Sequence, residues 1–240
     1  MSIADNLCYV NQKIAAALDR RCANFKAAGR KCASGDKVEV AAASKYVGPE
    51  TIIKAYDAGL RIFGENKIQD LKSKYDYIKL NRPDILGHLQ FHVIGHLQTN
   101  KTRDAILYSE MIQSVDSIKL ARKLNEQCDK FNKNMSVLIE IKTSGEESKT
   151  GIEIINAIEL AAEIKSLSRL ELCGVMTMAV FSDNAGEVRE CFIKAYDFFE
   201  TLKNKYGDNC RYLSMGMSED FALAVECGAN MIRAGRILFK

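Results

Sequence analysis

At 240 residues, 47% of them hydrophobic, the chain can bury a full core and fits one large domain or two small ones. Its 34 basic and 31 acidic residues leave a net charge of +3 and are interleaved, so there is no polybasic arm or stripe of the kind nucleic acid requires. No run of about eighteen apolar residues offers a membrane span, and the N-terminus lacks the basic-then-apolar pattern of a secretory signal, so a soluble, cytoplasmic protein is expected.

Only two prolines, Pro49 and Pro83, and no low-complexity or Gly/Ser-rich seam break the chain, so a single domain over 1–240 is expected. The eight cysteines form no C-x-x-C pair, and several fall on apolar helical faces; they read as reduced, structural thiols.

The first element is a long amphipathic helix within 1–33, with Leu7, Val10, Ile14, Leu18 and Phe25 at helical spacing. Then the pattern changes to short β-branched runs alternating with amphipathic stretches. "VEVAAAS", "LRIFGE", "FHVIGHL", "MIQSV", "SVLIEIKT", "LCGVMTM", "RYLSMG" and "MIRAGRILF" make eight candidate strands, each but the last followed by a potential helix. Continuous rather than alternating apolarity marks strands covered on both faces, as in a parallel sheet. Eight such units predict an α/β fold, a (β/α)8 TIM barrel; an open doubly wound sheet is disfavoured because no G-x-G-x-x-G follows the first strand. The sequence given stops at Lys240, just past the eighth run, so the N-terminal helix is expected to cover that strand in place of a C-terminal one.

In such barrels the chemistry sits at the C-terminal ends of the strands. Those ends carry Lys45, Glu65 and Asn66, His96, Met217 and Ser218, and Arg233 to Arg236. Two tempting patterns fall away. His88, His92 and His96 are spaced by four, but no carboxylate or cysteine stands at an offset that would complete a metal site. "SGDK" (Ser34 to Lys37), "KTG" (Lys149 to Gly151) and "SDN" (Ser182 to Asn184) spell the β-lactamase motifs, but in the wrong order and outside the required helix and strand.

What survives is the end of the chain. In "YLSMGMSEDFALAVECGANMIRAGRILF" a glycine turn brings Ser218 to the start of a helix, where unpaired N–H groups favour an anion, and "IRAGR" follows with Gly235 permitting close backbone approach. The loops after strands seven and eight are the frequent phosphate site of these barrels. A lysine across the mouth from a phosphate site implies a phosphorylated carbonyl compound held as a Schiff base, either a sugar phosphate or pyridoxal 5'-phosphate.

"AASKYVGPETIIKAYDAGLRIFGENKIQDL", "FHVIGHLQTNK", "IQSVDS", "IEIKTSGEESKTGI", "GVMTM" and "LSMGMSEDFALAVECGANMIRAGRILF" resemble, in that order, the pyridoxal phosphate homeostasis protein family, from about residue 38 to the end. The resemblance implies one barrel of the alanine-racemase N-terminal type that binds pyridoxal 5'-phosphate without an established reaction. It implies that Lys45 forms the internal aldimine and that Asn66 and Met217 line the cofactor. Ser218, Gly235 and the amide of Arg236 would hold the phosphate, while Arg233 would face the pyridine nitrogen. A monomer is expected, with apo enzymes that use the cofactor as the partners it would serve. Two departures stand out: "YVGP" delays the proline after the lysine to Pro49, and Arg236 stands where the family commonly offers Thr or Ser.

On this reading Lys45 is partly desolvated at the mouth, and the alanines before it leave room for the cofactor ring. An arginine at the pyridine nitrogen disfavours its protonation, which suits storage of the aldehyde or racemisation and is ill suited to transamination. A racemase-like enzyme is therefore the alternative, and a sugar-phosphate aldolase the weakest of the three classes.

Overall fold

A computed structural model describes residues 1–27, 37–146 and 150–240. In chain order the elements are α1 (Ile3–Ala27), β1 (Glu39–Ala43), α2 (Pro49–Asp57), β2 (Ile62–Glu65), α3 (Ile68–Asn81), α4 (Pro83–Leu86), β3 (Gln90–Val93), a 3-10 turn (Thr99–Lys101), α5 (Thr102–Tyr108) and β4 (Met111–Val115). They continue with α6 (Ile118–Lys130), β5 (Met135–Lys142), β6 (Ile152–Glu153), α7 (Ile154–Ser166), β7 (Leu170–Thr177), α8 (Ala185–Tyr206), β8 (Tyr212–Ser214), α9 (Phe221–Glu226), β9 (Met231–Ala234) and α10 (Arg236–Phe239).

Strands pair in the order β4-β3-β2-β1-β9-β8-β7-β5, all parallel, and β4 pairs with β5 to close the ring. The eight expected strands thus form a closed (β/α)8 barrel, and the two-residue β6 is an addition alongside β5. Helix starts follow local chemistry. Ser117 accepts the amide of Leu120 to cap α6, Pro49 opens α2, and the Asn184 side chain accepts from Gly186 to cap α8. "SDN" is therefore a helix cap. Ser34 and Lys149, from the other two β-lactamase-like motifs, lie outside the described residues.

Side chains alternate across each strand, and the barrel sorts them into two cores. Phe63, Phe91, Ile112, Val175, Leu213 and Ile232 point outward into the large layer between strands and helices. Their neighbours point inward: Ala41, Ile62 and Met231 cluster with Tyr212, and Met111, Leu138, Cys173 and Met176 form a second apolar group. Other inward positions are polar: His92, Gln113, Glu140, Ser214 and Arg233, all buried. The register sets Ala41 opposite Arg233, so the small side chain leaves the guanidinium its room.

Helix α1 packs on α9, α10 and α2, beside the strand it was expected to cover. The Asn6 amide donates to the carbonyls of Leu238 (3.0 Å) and Lys240 (3.4 Å), and Arg20 pairs with Glu226 at 2.6 Å. Residues 28–33 of the expected 1–33 helix lie outside the described residues. Two expectations need correction. Strand β9 does have a following helix, the single turn α10, too short to leave a periodic signal. Cys22 is disulfide-bonded rather than reduced, a pairing that spacing without C-x-x-C does not exclude. Cys8 is an exposed thiol, and Cys128, Cys173, Cys191, Cys210 and Cys227 are buried thiols. Among the described residues, no helix is long and apolar enough to cross a membrane.

Candidate functional site

At the C-terminal mouth of the barrel an open cleft of about 1140 Å³ is bounded by the ends of β1, β7, β8 and β9. Its lining brings together Lys45, Met217, Ser218, Arg233, Gly235 and Arg236. Asn66, the remaining expected site residue, is half-buried just past β2 and is not among the residues that line the cleft.

Lys45 lies in the turn after β1, where Ser44 leaves the sheet. Its ammonium sits 5.2 Å from the centre of the Tyr46 ring and is exposed, whereas partial desolvation was expected. The reason is local: the residue lies beyond the last strand pairing, so no neighbouring strand covers it. The turn itself is anchored. The Ser44 hydroxyl donates to Glu65 Oε1 (2.6 Å), and Lys74 Nζ donates both to that oxygen (2.6 Å) and to the Ser44 carbonyl (2.8 Å).

On the other side, Gly216 adopts φ +91°, and a Cβ there would stand 2.6 Å from that of Ala224. Only glycine makes this turn without strain. It swings Met217 and Ser218 over the end of β9, and Asp220 Oδ1 accepts the Met217 amide to hold the turn. Asp220, not Ser218, occupies the N-cap position of α9. Ser218 is aimed elsewhere: its hydroxyl oxygen accepts the amides of Gly235 (3.2 Å) and Ile237 (3.4 Å). Two backbone donors on separate residues converging on one oxygen are a donor set that suits a phosphate. The converging amides belong to Gly235 and Ile237, with Arg236, which opens the α10 turn, between them. A Cβ on Gly235 would lie 3.1 Å from the Ala43 carbonyl, so the residue also sets how closely β9 approaches β1. The Arg236 guanidinium reaches out to Glu219 Oε1 at 2.8 Å, both side chains being well exposed.

Arg233 forms the floor, 4% exposed. Its Nη1 donates to the Ser214 hydroxyl and its Nη2 to the Thr177 carbonyl, each at 2.8 Å. Burial lowers its pKa to about 10, against the opposing pull of Glu140 and Asp220, so it remains a cation at neutral pH. Burial raises the Glu140 and Asp220 carboxyls, and Glu140 Oε1 accepts the Thr150 hydroxyl at 2.6 Å.

The histidines part company. His88 is exposed before β3, His92 is buried inside the barrel, and His96 is exposed with Nδ1 3.2 Å from Asp116. The residues around Arg233 that sequence reasoning missed, Gln113 and Ser214, left one signal: polar side chains within otherwise apolar buried runs.

The alanine racemase N-terminal domain family matches residues 17–240. A pyridoxal phosphate homeostasis protein of Helicobacter pylori is 38% identical over 205 residues, 85% of this chain and 87% of that protein. Its namesake from Aquifex aeolicus is 35% identical over 239 residues, 100% of this chain and 98% of that protein. Among solved structures, PipY of Synechococcus elongatus with PLP bound is similar at a TM-score of 0.77 and 29% identity, covering 93% of this chain and 100% of PipY. The same protein without PLP gives 0.83 at 29% identity over the full length of both chains.

Proposed function

The chain belongs to the alanine racemase N-terminal domain family and, within it, to the pyridoxal phosphate homeostasis proteins, and from that premise we propose that it binds pyridoxal 5'-phosphate as a reserve for cellular B6 balance and turns over no substrate of its own. The whole chain acts as one cofactor-binding domain. The observation that carries this reading is the convergence of two backbone N–H groups on one oxygen, that of Ser218, in the cleft that also holds Lys45.

When bound, the cofactor supplies an aldehyde that condenses reversibly with a primary amine. Lys45 offers that amine, and as an exposed side chain on an anchored turn it can engage and disengage without disturbing the core. Ser218, Gly235 and the first turn of α10 hold the phosphate, with Arg236 beside them. Met217, in the cleft's lining, would contact the cofactor. Asn66, outside the cleft's lining, is assigned to the ring's surroundings by family resemblance alone. Arg233 would face the pyridine nitrogen with N–H donors and a positive charge, which would disfavour a proton on it. Enzymes that need this cofactor are the partners such a reserve would serve.

The racemase alternative requires a positioned acid or base on each face of the bound carbon. Tyr46 follows Lys45 in the lining but is 85% exposed, so nothing packs it into a fixed geometry. Loading the purified protein with the cofactor, reducing with borohydride and mapping peptides should place the label on Lys45. A label mainly on another lysine, such as Lys101, would overturn the assignment. Incubating the loaded protein with several L-amino acids should yield no D-enantiomer on a chiral column at a racemase-like rate; robust turnover that disappears in Lys45→Ala would favour the alternative.

A further inference from the structure

Arginine presents five donors and no acceptor. The oxygen of Ser214 that takes the Arg233 Nη1 proton must therefore send its own hydrogen elsewhere, and its partner is Gln113 Oε1 at 2.6 Å. That assigns the two ends of the amide. Gln113 Nε2 then donates to His92 Nδ1 at 2.9 Å, with Met231 Sδ 3.2 Å away for its other hydrogen. Nδ1 is the bare nitrogen of a neutral imidazole whose proton sits on Nε2. The direction of the whole chain, Arg233 to Ser214 to Gln113 to His92, follows from the guanidinium alone.

His92 is 2%, Gln113 0%, Ser214 0% and Arg233 4% exposed, so all four are shielded from bulk solvent. The chain crosses the barrel from β9 through β8 and β4 to β3, and each link is buried. A buried polar group left unpaired is costly, so the four positions lock one another. The partners that Arg233 meets directly, Ser214 and the Thr177 carbonyl, are neutral acceptors. They orient the guanidinium without cancelling its charge, as a bidentate carboxylate would.

We propose that Ser214, Gln113 and His92 are positioning residues that aim the Arg233 guanidinium, with no carboxylate bonded directly to it, at the ring nitrogen of the bound cofactor. The proposal rests on the assignment of the cleft to pyridoxal phosphate. The chain thereby sets how weakly the ring withdraws electrons, from residues that do not touch the ring.

The test uses cofactor labelled with 15N at the ring, bound to the full-length protein, with the ring-nitrogen resonance followed against pH. In the parent it should report an unprotonated nitrogen throughout the neutral range. Gln113→Leu and Ser214→Ala, each confirmed folded by circular dichroism, should raise the pH midpoint of ring protonation by about one unit or more, since the charge that opposes the proton is no longer held in place. Ser214→Thr, which keeps the hydroxyl, should restore the parent behaviour; a merely structural role would not make the spectrum follow the hydroxyl. Ser214→Ala removes a single oxygen, so it keeps the test open if Gln113→Leu fails to fold. If Arg233→Lys changes the resonance while Ser214→Ala and Gln113→Leu leave it at the parent position, the positioning chain is overturned and cofactor binding stands. A parent that takes up no cofactor overturns both.

Discussion

Lys45 and Arg233 stand at two ends of the same cleft and are held in opposite ways. Lys45 is an exposed amine on a turn whose anchor is the residue before it, Ser44, tied to a buried Glu65–Lys74 pair. Arg233 is inside the barrel, fixed by two direct partners and by a chain of hydrogen bonds behind them. A group that must form and release a covalent bond needs freedom. A group that acts only through its field needs a fixed position, since preorganised charge costs no reorganisation when it acts.

The sharpest break of this comparison is the pair Lys45→Ala and Arg233→Leu. The first should abolish the borohydride-fixed label while leaving the melting temperature unchanged, because an exposed side chain with no buried partner contributes little to stability. The second should lower thermal stability by about 1–3 kcal/mol, by leaving the Thr177 carbonyl and Ser214 without their donor, and should allow residual covalent loading. If Lys45→Ala melts well below the parent, or Arg233→Leu melts with it, the division of labour is wrong. Calorimetry of the unloaded proteins decides.

Legibility divides along the same line. The barrel could be read from the sequence because strands covered on both faces give continuous apolar runs such as "VLIEI" and "GVMTM", and because Gly216 and Gly235 punctuate the last two strands. β6 and α10 escaped, being two and four residues long, too short for any period. Ser218 reads locally as a helix cap, and only the approach of the β9 end shows its hydroxyl turned toward Gly235 and Ile237. The positioning chain was hidden for a different reason: Gln113 and Ser214 lie 101 positions apart, and only closure of the barrel brings them to 2.6 Å. Exposure at Lys45 was misjudged because the sequence says where the strand's apolar run ends, not how far the neighbouring strands extend beside it.

Next in size is Ser218→Ala. In the proposed role its hydroxyl would donate to a charged phosphate oxygen, a bond of about 1.5–3 kcal/mol, so cofactor retention should weaken by roughly ten- to a hundredfold. The Gly235 and Ile237 amides remain, so binding should persist. Equilibrium dialysis at fixed ionic strength measures it, and unchanged affinity would make the serine a structural brace for the β9–α10 turn.

The locked side should also show itself in acid. Burial drives the His92 pKa from 6.5 to about 3. As pH falls below 6.5 the unfolded chain takes up a proton that the folded protein refuses, so stability is lost as pH falls from 6.5 toward 3, by at most about 1.4 kcal/mol per unit. Glu110, Glu140 and Asp220, whose folded-state pKa values are raised by burial, act in the opposite sense, since their neutral forms are favoured as pH falls. The contribution of His92 is therefore read as the difference between the parent and His92→Gln in urea melts at pH 7, 6 and 5. Parallel pH profiles would mean that His92 is not held neutral.

The smallest effect is expected at Arg236. Arg236 lies beside the proposed phosphate site, but its guanidinium is paired with Glu219 at 2.8 Å, and both side chains are about 60% exposed. An exposed pair of this kind is worth little and is screened by salt. Turning from Glu219 to a phosphate exchanges one exposed anion for another, so the net gain is small, while the backbone amides of the same turn bind whatever side chain is attached. Arg236→Thr should therefore change cofactor retention by less than about threefold at physiological ionic strength. At low salt the difference should grow, because the unscreened guanidinium then attracts the incoming dianion. Glu219→Gln should move retention the other way, since it frees the guanidinium, and the double substitution should cancel that gain. A large, salt-independent loss in Arg236→Thr would instead place the guanidinium in direct, desolvated contact with the phosphate, and the rim would then belong with Arg233 among the fixed charges rather than with Lys45 among the mobile ones.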